Sequence, residues 1–513
     1  MTAAAGVTAS DAAGPPDAVS YVHTRSLFLR ALGVAYLAAF LSLQGQASGL
    51  WGAEGLLPAA SYLERAREAL GDDAPWRVPT LFWIDAGDAA LRAACAAGAA
   101  SAALLIAGLV PLAATVACWI LYLSLCGVGQ LFLGYQWDAL LLETGVLAVL
   151  WSPLAWRLGG PRVREPSRIV LWLVRWLLFR LMFASGFVKL ASGDPTWWSL
   201  TALAVHYQTQ PLPSWTSWYA NLLPLGMQKA ACAVMFAIEL ALPFLIPFGR
   251  RARLVACAGF VTLQLGIAAT GNYGFFNFLT VVLCIPLLDD TVLARVPRPR
   301  RFARRASVPA IAAAAARPAL GLRRTVHAAA AVVLLSLSVP MTVAQLAGLP
   351  ATSVPPVSTL LRVLAPLRLT STYGLFAVMT TTRPELTLEG TADGEEWRPY
   401  VFRWKPGPLD RRPPIVGLGM PRLDWQMWFD ALHVERMLRS GGRGGSLITP
   451  VLLARLRERS PPVLGLLAAD PLDGRPPVAL RWRLDDYRFT DAAGRAATGD
   501  WWQRTLLHEE QVR

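Results

Sequence analysis

Six charged side chains lie inside otherwise apolar segments, and they are the first residues of this chain that could support chemistry. They are Asp138, Glu143, Arg175, Arg180, Lys189 and Glu239. A charge in the hydrocarbon core of a bilayer is energetically unfavourable, so each residue is a candidate for an ion pair, a ligand pocket or a proton-transfer step. Arg175, Met182 and Lys189 recur every seven residues and therefore share one face of a helix.

Lys189 is the most informative of these residues, because the chain contains only three lysines. It lies near the outer end of its segment, as Asp138 and Glu143 do in theirs, and His206 follows in the next loop. We therefore expect Asp138, Glu143, Lys189 and Glu239 to form a buried polar cluster that opens outward. Two interpretations stay open. Lys189 forms an ion pair with Glu143 or Glu239 that only holds helices together, or it belongs to a functional pocket with Lys189 and His206 as candidate catalytic residues.

The composition indicates that much of the chain lies in a membrane. Of its 513 residues, 54% are apolar and 16% are charged, whereas soluble domains carry about 25% charged residues. Residues 350–513 hold 18 of the 34 acidic residues, so they form a water-exposed part. The net charge of +14 does not indicate a nucleic-acid partner, because the arginine-rich stretch 291–326 lies between apolar segments, where basic residues mark the cytoplasmic side.

Nine apolar segments are candidate membrane spans. They cover residues 27–47, 89–110, 112–133, 139–156, 168–191, 229–248, 254–271, 275–289 and 327–348. The basic loops between them place the amino terminus in the cytoplasm. The predicted domains are a disordered cytoplasmic leader (1–25), a transmembrane bundle (26–290) with outward loops (49–88 and 192–228), a basic cytoplasmic loop (291–326), a last transmembrane helix (327–349) and an exported domain (350–513).

The predicted fold class is an α-helical polytopic membrane bundle followed by a β-rich α+β soluble domain. An Asp393-Gly394 turn between two strand-like runs is a hairpin signal. The predicted strands are 385–390, 397–404 and 478–489, and the predicted helices are 423–438 and 449–459. The motif "PRLDWQMWF" begins the first of these helices and contains Arg422, Asp424, Trp425 and Trp428. Asp424 is there a candidate N-terminal cap or first-turn acid.

Sequence motifs of the common enzyme classes are absent. The chain has no phosphate-binding glycine loop, no GxSxG elbow and no HExxH pair. Its six cysteines all fall in apolar stretches and lack metal-ligand spacing. We predict neither a metal nor a cofactor. The tryptophans of the second outward loop, Trp197, Trp198, Trp215 and Trp218, are typical of an interfacial aromatic belt.

Several long strings resemble the lipase maturation factor family. In the membrane part they are "LQGQASGLWGAEGLLPA", "LGYQWDALLLETG", "FASGFVKLASGDPTWWSLTALAVHYQTQPLP" and "NYGFFNFLTVVLCIPLLDD". In the exported part they are "YGLFAVMTTTRPELTLEGTADGEEWRPYVFRWKPG" and "PRLDWQMWFDAL". The resemblance runs from about residue 36 to about residue 490. One departure is Gly419-Met420, where the family usually has a His-Gln pair.

The resemblance implies a multipass protein of the endoplasmic-reticulum membrane, or of the inner membrane in a bacterium, that helps secreted lipases to fold and assemble. The partners would be a lipase-like exported client and the lipid bilayer. The membrane half more distantly resembles the vitamin K-dependent carboxylase-like transmembrane proteins, in which a lysine in a setting similar to that of Lys189 is a catalytic base.

Two functional classes follow. The first is a chaperone-like maturation factor without covalent chemistry, whose exported tryptophans offer apolar contact area to a client or fill the domain core. The second is a membrane-embedded enzyme that acts on a lipid-soluble cofactor or substrate, with Lys189 as base and its pKa lowered by burial. A transporter is a weaker third class, because paired inverted repeats are not evident.

The orientation gives a direct prediction. An odd number of spans and the arginine-rich cytoplasmic loops place residues 350–513 outside the cytoplasm. A reporter that is active only in an exported compartment, fused after Arg513, should therefore be active. Activity of a matched cytoplasmic reporter at the same position would contradict the orientation.

Overall fold

Residues 19–159, 164–295, 321–350, 357–441 and 447–512 are described in a computed structural model of the chain. Three predictions fall wholly or partly outside these residues. They concern the leader up to residue 18, most of the basic loop, and residues 351–356 of the predicted exported domain. They stay predictions.

Sixteen helices of the described chain build the membrane half and its loops. They are α1 (Val22–Gln44), α2 (Ala47–Trp51), α3 (Ala59–Leu70), α4 (Ala74–Arg77), α5 (Asp88–Ala107), α6 (Pro111–Val128), α7 (Gln136–Trp151), α8 (Arg168–Ala191), α9 (Pro195–Trp198), α10 (Ala202–Thr209), α11 (Trp215–Asn221), α12 (Leu225–Phe236), α13 (Arg250–Thr270), α14 (Phe275–Cys284), α15 (Asp290–Leu293) and α16 (Gly321–Leu346). A π-helical turn, Ala237–Ala241, follows α12.

Seven of the described helices are long and apolar enough to cross a membrane. They are α1, α5, α6, α8, α12 with its extension to Leu245, α13 and α16. The predicted spans 139–156 and 275–289 correspond to α7 and to Phe275–Leu287, which are shorter. At 1.5 Å per residue, the 16 residues of α7 cover about 24 Å, less than the roughly 30 Å of a hydrocarbon core.

The short helices nevertheless run between the same two ends of the bundle as the long ones. At one end of the bundle, Ser20 at the start of α1 hydrogen-bonds to Asp290 and Glu165. At the other end, the start of α7 contacts the C-terminal domain, since Asp138 binds Arg422. Both short helices are largely buried among their neighbours, so packing compensates for the missing length.

The C-terminal domain is a four-stranded antiparallel sheet with helices packed on it, which confirms the predicted fold class. The strand order is β2-β1-β3-β4. The strands are β1 (Pro384–Thr391), β2 (Arg398–Pro399), β3 (Ala479–Phe489) and β4 (Trp502–Val512). The helices are α17 (Val357–Leu364), α18 (Arg422–Arg439), α19 (Thr449–Arg457), α20 (Pro461–Leu464) and α21 (Ala492–Thr498).

One strand prediction needs correction, and one strand was not predicted. The predicted strand 397–404 is reduced to the two residues of β2, and the backbone N–H groups of Trp404 and Lys405 donate to the Asp424 carboxylate instead of a neighbouring strand. Strand β4 was not predicted because most of its residues are exposed on both faces, so its sequence "WQRTLLHEEQV" lacks the alternation of a half-buried strand.

Candidate functional site

The predicted polar cluster is divided among three buried ion pairs. Asp138 pairs with Arg422, Glu143 with Arg180, and Lys189 with Glu239. The helices α7 and α8 present these side chains at different positions and toward different neighbours. Glu239 is thus the partner that Lys189 selects from the two predicted alternatives.

The first pair joins the membrane half to the C-terminal domain. Arg422 Nη1 and Nη2 donate to the two Asp138 oxygens at 2.8 Å each, and both side chains are fully buried. The Tyr122 hydroxyl donates to Asp138 Oδ1 at 2.5 Å, and Arg422 Nη1 also donates to the carbonyl of Phe132. Two parallel N–H···O bonds fix orientation as well as distance. This pair therefore sets how the start of α18 sits on the bundle.

The second pair also contacts the C-terminal domain. Arg180 Nη2 donates to Glu143 Oε1, while the Tyr373 hydroxyl and the Ser371 N–H donate to Glu143 Oε2 at 2.6 and 3.0 Å. Arg180 Nη1 donates to the Ser371 carbonyl at 2.9 Å. Four groups thus share one buried site, and the segment after α17 is held between α7 and α8.

The motif "PRLDWQMWF" lies in the same interface. The indole of Trp425 packs edge-on against Trp137 with ring centroids 4.7 Å apart, and Trp428 Nε1 donates to the Thr209 carbonyl at 3.0 Å. Asp424 lies in the first turn of α18 as predicted, but its carboxylate accepts from loop residues rather than from the helix end. Burial raises the pKa of Asp424 above its usual value, and the loop N–H groups oppose the rise.

Sequence reasoning missed a further docking residue, Arg383. Its guanidinium is fully buried and donates to the carbonyls of Gln208, Gln210 and Pro211 in the membrane half and to Glu385 Oε1. The Glu385 carboxylate also pairs with Lys405 at 2.7 Å. No local pattern marks Arg383, because its partners are backbone carbonyls, which carry no sequence signal.

The third pair lies at the edge of a cavity and has no partner in the C-terminal domain among the described residues. Lys189 Nζ donates to Glu239 Oε2 at 2.7 Å and to the Ser185 carbonyl at 3.0 Å. Gly186 permits this approach, because a side chain there would meet the Glu239 Cβ at 2.9 Å. Glu239 lies in the π-helical turn, a feature that is frequent at functional sites.

The cavity next to this pair has a volume of about 370 Å³. Its walls come from α8, α10, α12, α13 and α14, and Phe376 of the C-terminal part covers it. His206 lines it and is hydrogen-bonded through Nε2 to the Tyr273 hydroxyl at 3.1 Å. Burial, and then the positive charge of Lys189, lower the pKa of His206 to about 4. His206 is therefore neutral at pH 7.

The tryptophans of the second outward loop only partly match the predicted aromatic belt. Trp197 and Trp218 are buried inside the protein. Trp197 lines the cavity, and Trp218 packs against Trp501 of the C-terminal domain. Trp198 is 65% exposed and remains a candidate belt residue. Among the residues that the structure describes, no group of three His, Cys, Asp or Glu side chains could hold a metal ion.

Comparison with known proteins accounts for both halves of the chain. Residues 23–295 match the lipase maturation factor transmembrane domain, and residues 369–512 match the lipase maturation factor C-terminal domain. The chain belongs to the lipase maturation factor family. Its architecture and family make it a multi-pass membrane protein.

Individual relatives cover almost the whole chain. Human lipase maturation factor 2 is 35% identical over 94% of this chain and 82% of the relative. Human lipase maturation factor 1 is 32% identical over 96% of this chain and 89% of the relative. Chicken lipase maturation factor 2 is 34% identical over 94% of this chain and 80% of the relative. No solved structure matches this chain.

The family departure at Gly419-Met420 falls at a place where the backbone makes the contacts. The Met420 carbonyl accepts from Ser42 Oγ and Gln46 Nε2 at 3.0 Å each, and the Met420 N–H donates to Ser42 Oγ. These bonds tie the end of α1 to the start of α18. They are made by backbone groups of Met420 and do not depend on its side chain. The departure from the family at this position stays a prediction.

Replacing Lys189 tests the structural interpretation of its ion pair. Lys189→Met leaves the Glu239 carboxylate buried without a partner, and we expect a loss of about 3–5 kcal/mol of stability. The matched double variant, Lys189→Met with Glu239→Gln, removes the uncompensated charge and should restore most of the membrane-inserted protein and its thermal midpoint. A single variant that accumulates and melts like the original chain would contradict this interpretation.

The neutral state of His206 predicts a pH dependence of stability. The unfolded chain binds a proton at His206 near pH 6.5, whereas the folded chain binds it only near pH 4. Stability from this residue is therefore complete above pH 6.5 and is lost as the pH falls toward 4, with about 2 kcal/mol lost at pH 5. Thermal unfolding at pH 7 and pH 5 should show a larger decrease for the original chain than for His206→Gln. Equal decreases would exclude His206 as the cause.

Proposed function

We propose that this protein is a membrane-anchored maturation factor that helps exported, lipase-like proteins to fold or assemble. The observation that carries the proposal is that one chain matches both domains of the family in order. The buried docking of these domains supports it, because Asp138 and Arg422 make them one unit. The relatives are named lipase maturation factors, so a lipase-like exported protein is the client that we infer.

Contacts of the C-terminal domain and the loop charges support its location. The domain contacts both predicted outward loops, since Arg455 Nε donates to the Gly55 carbonyl and Trp428 Nε1 to the Thr209 carbonyl. Described arginines of the basic segments, Arg168 and Arg253, contact Val19 and Tyr21 at the start of α1, at the opposite end, which favours the cytoplasm there. We infer that the C-terminal domain faces the lumen of the endoplasmic reticulum, or the periplasm in a bacterium.

The enzyme alternative has less support from the geometry. A lysine that acts as a base needs a neutral amine with a free lone pair. Lys189 Nζ instead donates to a carboxylate and to a carbonyl, so the amine is already engaged by the protein itself. The ion pair therefore supports a structural role in holding α8 against the π-helical turn.

A complementation experiment tests the proposed function. Cells that lack their own maturation factors would express a secreted lipase with or without this chain. We expect the chain to raise the enzymatic activity per amount of secreted lipase, because maturation changes the folded fraction and not the synthesis. Unchanged specific activity beside a correctly inserted chain would overturn the proposal.

The double variant Lys189→Met with Glu239→Gln distinguishes the two functional classes in the same cells. A maturation factor needs this pair only for folding, so the inserted double variant should retain most of the effect on the lipase. An enzyme with Lys189 as base should be inactive in this variant although the protein is present. The amount of inserted protein, measured by immunoblotting of membranes, is the control.

A further inference from the structure

The cavity beside Lys189 and Glu239 is not accounted for by the docking of the two domains. Its volume of about 370 Å³ falls within the range of small-molecule sites, about 300–1,000 Å³. Most of its lining side chains are apolar, among them Leu181, Met235 and Ile267. Such a lining fits a hydrocarbon chain.

The cavity opens between two helices that border the bilayer. Ala231 and Val234 of α12 line one side of this opening, and Thr262 and Gly266 of α13 line the other, and all four are exposed. A side chain at Gly266 would meet no atom within 4 Å. Both helices are of membrane-spanning length, so an apolar ligand can enter sideways from the lipid.

Polar side chains line part of the cavity, and one of them has a buried oxygen without a partner in the described chain. The Gln264 side chain is 6% exposed and its Oε1 is buried without a hydrogen-bond partner in the described chain. The Asn277 amide also lines the cavity and is 6% exposed. Glu239 Oε2 accepts a hydrogen bond from Lys189 Nζ, so Glu239 Oε1 can accept from another donor. Buried polar atoms are normally paired, and a ligand with hydrogen-bonding groups would supply the missing partners.

The charges around the cavity select against a charged head group. Among the described residues that line the cavity, Lys189 and Glu239 are the only basic or acidic side chains besides His206, and they form an ion pair at 2.7 Å. His206 is neutral at pH 7, as described above. An additional carboxylate or phosphate would lie in an apolar site without a free counter-charge, which is strongly unfavourable. A hydroxyl or ester group has no such penalty.

We propose that this cavity binds one uncharged single-chain lipid with a hydroxylated head, of the monoacylglycerol class. The head lies against Gln264, Asn277 and Glu239, where its hydroxyl groups donate to and accept from these side chains. The acyl chain leaves between α12 and α13 into the bilayer. The π-helical turn that presents Glu239 and the left-handed backbone of Phe376, with φ of +55°, are local irregularities that shape the walls of this site.

Photolabelling of the full chain tests the proposal. The purified protein in phosphatidylcholine nanodiscs would be labelled with monooleoylglycerol that carries a diazirine in its acyl chain. We expect saturable labelling of peptides from α12 and α13. Unlabelled monooleoylglycerol should compete at least about 10-fold better than oleate, which is charged, or methyl oleate, which has no hydroxyl. Non-saturable labelling, or equal competition by oleate, would overturn the proposal.

Two variants locate the site, each with a folding control. Gly266→Trp should close the opening and reduce labelling about 10-fold or more, whereas Leu265→Trp on the neighbouring, 62% exposed position should leave it unchanged. Gln264→Leu should weaken competition by monooleoylglycerol about 3- to 10-fold, the effect of one hydrogen bond. Each variant is compared at equal monodispersity and thermal midpoint. If Gly266→Trp is folded and is labelled like the original chain, the ligand lies elsewhere.

Discussion

The buried ion pair between Asp138 and Arg422 is the interaction on which the arrangement of the two domains depends. A carboxylate at the start of a membrane helix is costly to bury alone, and so is a guanidinium at the start of a helix in a soluble domain. The cost of burying each charge is offset when the two side chains form two hydrogen bonds of 2.8 Å with each other. Because neither domain can satisfy its own member of the pair, the docked form is strongly favoured.

The other interface contacts repeat this principle with different chemistry. Glu143 accepts from Tyr373 and Ser371, and Arg383 donates to three carbonyls at the end of α10 and in the loop that follows it. Trp428 fills the same interface while its N–H donates to Thr209. Three of the six charged residues in the apolar segments, Asp138, Glu143 and Arg180, are therefore used for docking. These contacts hold the C-terminal domain in a fixed orientation relative to the membrane half.

Lys189 and Glu239 differ from the other two pairs because, among the described residues, they form no hydrogen bond or ion pair with the C-terminal domain. Gly186 and the π-helical turn bring their helices close enough for a 2.7 Å contact. The cavity lies beside the same irregular turn, since Ile238 and Glu239 of the turn line it. The ion pair and the cavity thus share one departure from regular helix geometry.

The sequence by itself determined the membrane class, the long spans and the helix at Arg422–Arg439, because hydropathy and helical spacing are local properties of a chain. It also identified the charged residues that burial makes important. Only the tertiary structure decided their partners. Asp138 and Arg422 are 284 residues apart in the sequence, and the sequence did not distinguish Glu143 from Glu239 as the partner of Lys189. Strand β4, the role of Arg383 and the cavity were likewise undetermined, because edge pairing, bonds to carbonyls and gaps between helices depend on packing and leave no periodic pattern.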